Sequence, residues 1–141
     1  MRQEKPINVV VTGALGRAGK ATVGILSEER GLNVVGVVDV LFCEDEMPLP
    51  HGKGRIPAST NLEQILNVCH PDVLVDFTNP SATMSAVRAA AKRGIHVVIG
   101  TTGLNNHQLS QINRLARSAG IGVLTGSLSF AVALAAHLAS I

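Results

Sequence analysis

The sequence contains no tyrosine, no tryptophan and only three phenylalanines in 141 residues. A core without large rings has to be filled by Val, Leu, Ile and Ala. Such a filling suits a parallel sheet covered on both faces by Ala-rich helices. With neither an aromatic platform nor a basic stripe, the chain offers nothing on which nucleic acid would stack or track. Charge is sparse as well, at 16% of residues and a formal net charge of +2. Set against 46% apolar residues, that balance belongs to a folded domain and not to a disordered chain. No apolar run reaches the roughly 20 residues of a membrane span, and the first one, of about six, is too short for a signal segment. No membrane partner is expected, and the expected location is the cytoplasm. The two cysteines, Cys43 and Cys69, fit no CxxC or metal spacing and read as reduced thiols. The histidines (His51, His70, His96, His107 and His137) form no HxxxH pair and no His–carboxylate cluster. No metal site and no catalytic histidine is expected from them.

What is present is a regular alternation of strand and helix patterns. Ile7 to Thr12 is a continuous apolar run ending at a glycine, the mark of a buried strand. Gly16 to about Ser27 has helical spacing, with Gly31 closing it. Asn33 to Val40 is a second β-branched run. Leu41 to Ser59 carries three prolines and Gly52-Lys53-Gly54, and reads as a flexible flap. Asn61 or Thr60 caps a short helix through Val68, followed by a third strand from Asp72 to Thr78 and a helix from Ser81 to Lys92. His96 to Gly100 is the fourth strand, Asn105 or Asn106 opens a helix to about Ser118, and Gly122 to Thr125 is the fifth strand. Ser129 to Ile141 is expected to be helical. Right-handed crossovers then give one α/β domain over residues 1–141, with a doubly wound parallel sheet of the Rossmann type and strand order 3-2-1-4-5.

The first turn, Gly13-Ala14-Leu15-Gly16-Arg17-Ala18-Gly19, stands directly between a strand and a helix. That context gives a glycine pattern its meaning. Gly13 permits the tight turn, Gly16 lets a pyrophosphate approach the backbone, and Gly19 allows helix and strand to pack closely. The helix start favours phosphate through its free N–H groups and dipole. The spacing is GxxGxxG, a departure from the usual GxGxxG. Asp39 ends the second strand, where a carboxylate accepts hydrogen bonds from the ribose hydroxyls of an adenosine. It repels a 2′-phosphate, whereas Arg17 and Lys20 attract one. The expected ligand is therefore NAD(H) or NADP(H), with NAD(H) slightly favoured. Phe77-Thr78-Asn79-Pro80, Gly100-Thr101-Thr102-Gly103 and Thr125-Gly126-Ser127-Leu128 end the later strands on the same rim. Their glycines and hydroxyls suit a nicotinamide and its ribose. Lys53 and Arg55 read as solvated loop cations.

Taken together, Gly13 to Gly19, Asp76-Phe77-Thr78-Asn79-Pro80 and Val98-Ile99-Gly100-Thr101-Thr102-Gly103 resemble the 4-hydroxy-tetrahydrodipicolinate reductases, also called dihydrodipicolinate reductases. The likeness runs over nearly the whole chain. It implies NAD(P)H-dependent reduction in the diaminopimelate route to lysine, with cofactor contacts at Gly13 to Ala18, Asp39, Gly100 to Thr102 and Thr125 to Leu128. The family has Gly-Arg-Met-Gly where this chain has Gly16-Arg17-Ala18-Gly19, and Asn-Phe-Ser where it has Ser127-Leu128-Ser129. Nothing in the chain resembles the family's second domain, which supplies substrate-binding residues, the catalytic lysine and the tetramer interface. No catalytic residue is therefore assigned, and the expectation is a cofactor-binding half without turnover of its own. The alternative is a stand-alone, non-catalytic dinucleotide module. Association into a homodimer is expected through the Gly122–Thr125 edge or the apolar Ser129–Ile141 stretch.

Overall fold

The β-branched runs become strands and the Ala-rich segments become helices. A computed structural model describes residues 5–126. In chain order the elements are β1 (Ile7–Thr12), α1 (Arg17–Glu28), β2 (Leu32–Val38), β3 (Glu46–Pro48), β4 (Arg55–Ser59), α2 (Leu62–Cys69), β5 (Val73–Asp76), α3 (Pro80–Arg93), β6 (His96–Ile99), α4 (Asn106–Ala119) and β7 (Val123–Thr125). The sheet runs β3-β4-β2-β1-β5-β6-β7. Every pairing is parallel except β3 with β4. The doubly wound class expected from the sequence is what forms.

Two expectations about the sheet need correction. Leu41 to Ser59 is not a free flap: it folds as the β3–β4 hairpin and docks on β2 through Val37 and Val38. Pro48 and Pro57 hide the strand signal because proline cannot donate to a ladder. The alternation survives in Ile56 and Ala58, which are both buried. The second correction follows from the first. The strand read as third in the sequence is β5, and it pairs with β1 on the side away from β2. The third parallel strand is β4, and the parallel strands alone run 3-2-1-4-5-6.

Side chains alternate across the sheet as the pleat demands. Val10, Leu74, Val97 and Ile99 face α2, α3 and α4, in a core with Leu66, Val87 and Ile112. Val9, Val11, Val37, Val75 and Val98 form the opposite core with Val23 and Leu26 of α1. The helix starts are cut by asparagines: Asn61, Asn79 and Asn105 each accept a first-turn backbone N–H, from Gln64, Ala82 and Gln108. Gly31 does not cap α1 as the sequence suggested; Glu29 takes that place, and Gly31 turns the chain into β2. Among the described residues no helix is long and apolar enough to cross a membrane. Cys43 is exposed. Burial pushes the Cys69 thiol up, so it stays protonated and donates to the Val35 carbonyl at 3.2 Å.

Two glycines of α1 should respond oppositely to alanine. A Cβ on Gly19 would lie 2.0 Å from the Gly13 carbonyl oxygen, whereas one on Gly24 would meet nothing within 4 Å. Gly19→Ala should cost about 1–3 kcal/mol by overpacking. Gly24→Ala should add about 0.5–1 kcal/mol through helix propensity. Urea unfolding of both variants checks the pair, and equal effects would contradict this packing.

Candidate functional site

All the parallel strands end on one rim, and the rim is organised around Phe77. Gly13 takes a left-handed φ of 73°, and a Cβ there would run into the Phe77 carbonyl oxygen at 2.1 Å. A Cβ on Gly100 would meet the Phe77 ring at the same distance. Both glycines are thus required by the residue between them, a reason beyond the tight turn read from the sequence. The Phe77 N–H donates to the Thr12 carbonyl and the Gly100 N–H to that of Asp76, which ties the three loops together.

Gly16 differs from Gly13 and Gly19. It has ordinary φ, and a Cβ there would meet only the Gly13 oxygen, at 3.4 Å. Gly16 is the N-cap of α1 and has no side chain to offer, whereas the other three α-helices are capped by asparagine. The first turn of α1 also lacks any acid and begins with Arg17. Free N–H groups, a positive dipole end and a cation at one point favour an anion. Ala14 is buried under this loop, Leu15 is half-buried, and Arg17 and Ala18 form the first turn.

Asp39 lies just past β2 and is held by two backbone N–H groups. Leu15 donates to one carboxylate oxygen and Leu41 to the other, each at 2.9 Å. Each oxygen keeps acceptor capacity for a further donor. Asp39 lines a cavity of about 560 Å³ together with Thr12, Gly13, Val38, Val40, Asn61, Leu62, Glu63, Asp76, Phe77, Thr78, Asn79 and Ala86. No Lys or Arg lines it. Arg17 and Lys20 are absent from its wall, and Lys53 and Arg55 lie elsewhere, bonded to the Ser27 carbonyl and to Glu46.

On the other side of β1, Thr78 and Thr101 meet: the Thr78 N–H donates to the Thr101 hydroxyl at 3.0 Å. Thr102 is exposed on the same loop. Thr125 ends β7, exposed, and Gly126 donates its N–H to the Ile99 carbonyl at 2.9 Å. Ser127 and Leu128 lie outside the described residues, as does the Ser129–Ile141 stretch. Nothing described covers the second side of β7, which pairs with β6 alone among the described residues.

Sequence reasoning missed two groups. One is the far wall of the cavity, Asn61 to Glu63 at the start of α2 and Ala82, Ser85, Ala86 and Ala89 on α3, which becomes visible only once β4 is recognised and α2 placed. The other is Asp76, fully buried and surrounded by threonine hydroxyls from Thr12, Thr78, Thr83 and Thr101. An acid ending a four-residue apolar strand was the available signal.

A family model described as dihydrodipicolinate reductase, N-terminus, matches residues 7–127. The chain belongs to this family. The 4-hydroxy-tetrahydrodipicolinate reductase of Dehalococcoides mccartyi strain BAV1 is 42% identical over 137 residues, which is 96% of this chain and 52% of that protein. The chain therefore spans about half the length of the curated relatives it matches. Among solved structures, the dipicolinate-bound dihydrodipicolinate reductase of Paenisporosarcina sp. TG-14 is similar with a TM-score of 0.73 and 26% identity, over 86% of this chain and 47% of that one. A homoserine dehydrogenase of S. aureus reaches a TM-score of 0.74 at 21% identity, over 89% of this chain and 33% of that one, a likeness of fold alone.

The wedge at Phe77 makes a prediction of coupling. Gly100→Ala alone should destabilise by about 1–3 kcal/mol, because the ring has to move. In a Phe77→Leu background the same change should cost at least about 1 kcal/mol less. A double-mutant cycle by thermal unfolding measures this, and additive effects would contradict the contact.

Proposed function

We propose that this domain binds a pyridine dinucleotide, with NADH preferred to NADPH, as the cofactor-holding part of a 4-hydroxy-tetrahydrodipicolinate reductase. The observation that carries the proposal is the start of α1, where an uncapped helix N-terminus and a side-chain-free Gly16 leave room and charge for a pyrophosphate. Family membership supports a pyridine dinucleotide as the cofactor class. The choice between NADH and NADPH rests on the cavity wall, where Asp39 is acidic, Glu63 is already paired with Arg93, and no Lys or Arg lines the space.

The bound dinucleotide would supply a hydride to a cyclic, imine-type dicarboxylate, a step of the diaminopimelate route to lysine. This chain's residues would bind and orient. The backbone N–H groups of Arg17 and Ala18 would receive the pyrophosphate. Asp39, already fixed by Leu15 and Leu41, would accept from the adenosine ribose hydroxyls. The adenine would lie in the apolar cavity along Val40, Leu62 and Ala86. Thr78, the Gly100–Thr102 loop and Thr125 to Leu128 would flank the nicotinamide half.

Calorimetric titration tests the reading. Gly16→Val should abolish NADH binding while the folded state persists, because a Cβ there meets only the Gly13 oxygen, at 3.4 Å, and the branched side chain would fill the place of the pyrophosphate. Asp39→Ala should weaken NADH binding and remove its preference over NADPH, expected at about 1 kcal/mol or roughly five- to tenfold. Absence of binding of either dinucleotide to the wild-type chain at millimolar concentration would overturn the proposal. A tenfold preference for NADPH would overturn the selectivity and give the decision to Arg17 or Lys20.

A further inference from the structure

Asp76 has no place among the contacts just assigned, yet it is the best-bonded side chain on the rim. It is 0% exposed and sits at the carboxyl end of β5, directly under the loops. One carboxylate oxygen accepts from Thr12 of β1 and from Thr78, at 2.9 Å for the latter. The other accepts from Thr83 of α3 and, at 3.0 Å, from Thr101 of the loop after β6. Thr83 also lies 2.9 Å from the Thr101 hydroxyl. A carboxylate only accepts, so each hydroxyl has one orientation left for its proton. Thr101, with its proton committed to Asp76, turns its lone pairs toward the Thr78 N–H. Charge-assisted bonds of this kind are the stronger ones, and a buried carboxylate needs several of them.

The network is also lopsided with respect to the cavity. Thr12, Asp76 and Thr78 also line the cavity beside Asp39, whereas Thr83 and Thr101 do not, so only the Thr83–Thr101 arm bears on the Gly100–Thr102 loop alone. Asp39 and the first turn of α1 are held by other bonds, from Leu15, Leu41 and the Val38 carbonyl. The Asp39 side of the rim meets this network at Thr12, next to Gly13, while the Thr101 side depends on it directly.

We infer that Asp76 is a positioning residue that, through Thr83 and Thr101, sets the Gly100–Thr102 loop for the nicotinamide half of the ligand, and that the Thr83–Thr101 arm does so without touching the adenosine half. This rests on the dinucleotide reading above. Thr83 is 0% exposed and does not line the cavity, so its hydroxyl cannot touch the ligand directly.

The test compares NADH with ADP-ribose, which lacks the nicotinamide, on the full 141-residue chain by calorimetry. Asp76→Asn places donors where two hydroxyls donate; Thr83→Val is isosteric and guards against a folding failure of the first variant. Thr83→Val should weaken NADH by about tenfold, the scale of one or two lost hydrogen bonds, and change ADP-ribose less than about twofold; Asp76→Asn should weaken NADH at least as much. Thr83→Ser should restore NADH binding. Equal weakening of both ligands by Thr83→Val, or no change in NADH, would overturn the inference and leave Asp76 as a brace of the fold. A wild-type chain that binds ADP-ribose and NADH equally well would also overturn it, with the adenosine part of the proposed function intact. Binding of neither ligand would overturn the dinucleotide reading and this inference with it.

Discussion

The rest of the rim depends on the close approach of three backbones at Gly13. Its carbonyl occupies the place a side chain on Gly19 would take, and the Phe77 carbonyl occupies the place of its own. The loop after β1, the first turn of α1 and the end of β5 are thereby pressed into one layer, with no side chain between them. Only glycine tolerates that approach, and only at φ values such as 73° does the chain turn there. Phe77 then carries the constraint sideways, since its ring fills the space beside Gly100. Distances across the rim are set by backbone contact, which deforms far less than side-chain contact.

Electrostatics divide the labour on this frame. The start of α1 puts Arg17 where helices ordinarily favour acids and leaves its N–H groups without a cap. Such an arrangement is costly for an isolated helix and favourable beside an anion. The cavity beyond it is apolar, with acids at Asp39 and Glu63 on its wall. Glu63 is itself held by Arg93, which also donates to the Ala89 carbonyl and to Asn67. A ligand that is anionic in the middle and uncharged at its ends matches this distribution.

Much of this was legible in the sequence. The Val-rich runs and Asn caps gave the strands and helices because their signals are local: alternation, a short polar side chain, a glycine. The glycine turn and Asp39 were legible for the same reason. The β3–β4 hairpin was not, because Pro48 and Pro57 suppress strand propensity while tertiary docking on Val37 and Val38 supplies the stability. Missing β4 also hid the wall that α2 contributes to the cavity. The role of Asp76 was not legible, since its partners Thr12, Thr83 and Thr101 are far apart in sequence and converge only when the sheet forms.

The most direct test is an amide proton–nitrogen NMR titration of the 141-residue chain with NADH. The largest shifts are expected at Leu15 to Ala18, Leu41, Thr78 and Gly100 to Thr102, with the outer faces of α3 and α4 around Arg88 and Arg114 unchanged. Shifts confined to those outer faces, or none at saturating NADH, would contradict dinucleotide binding at this rim.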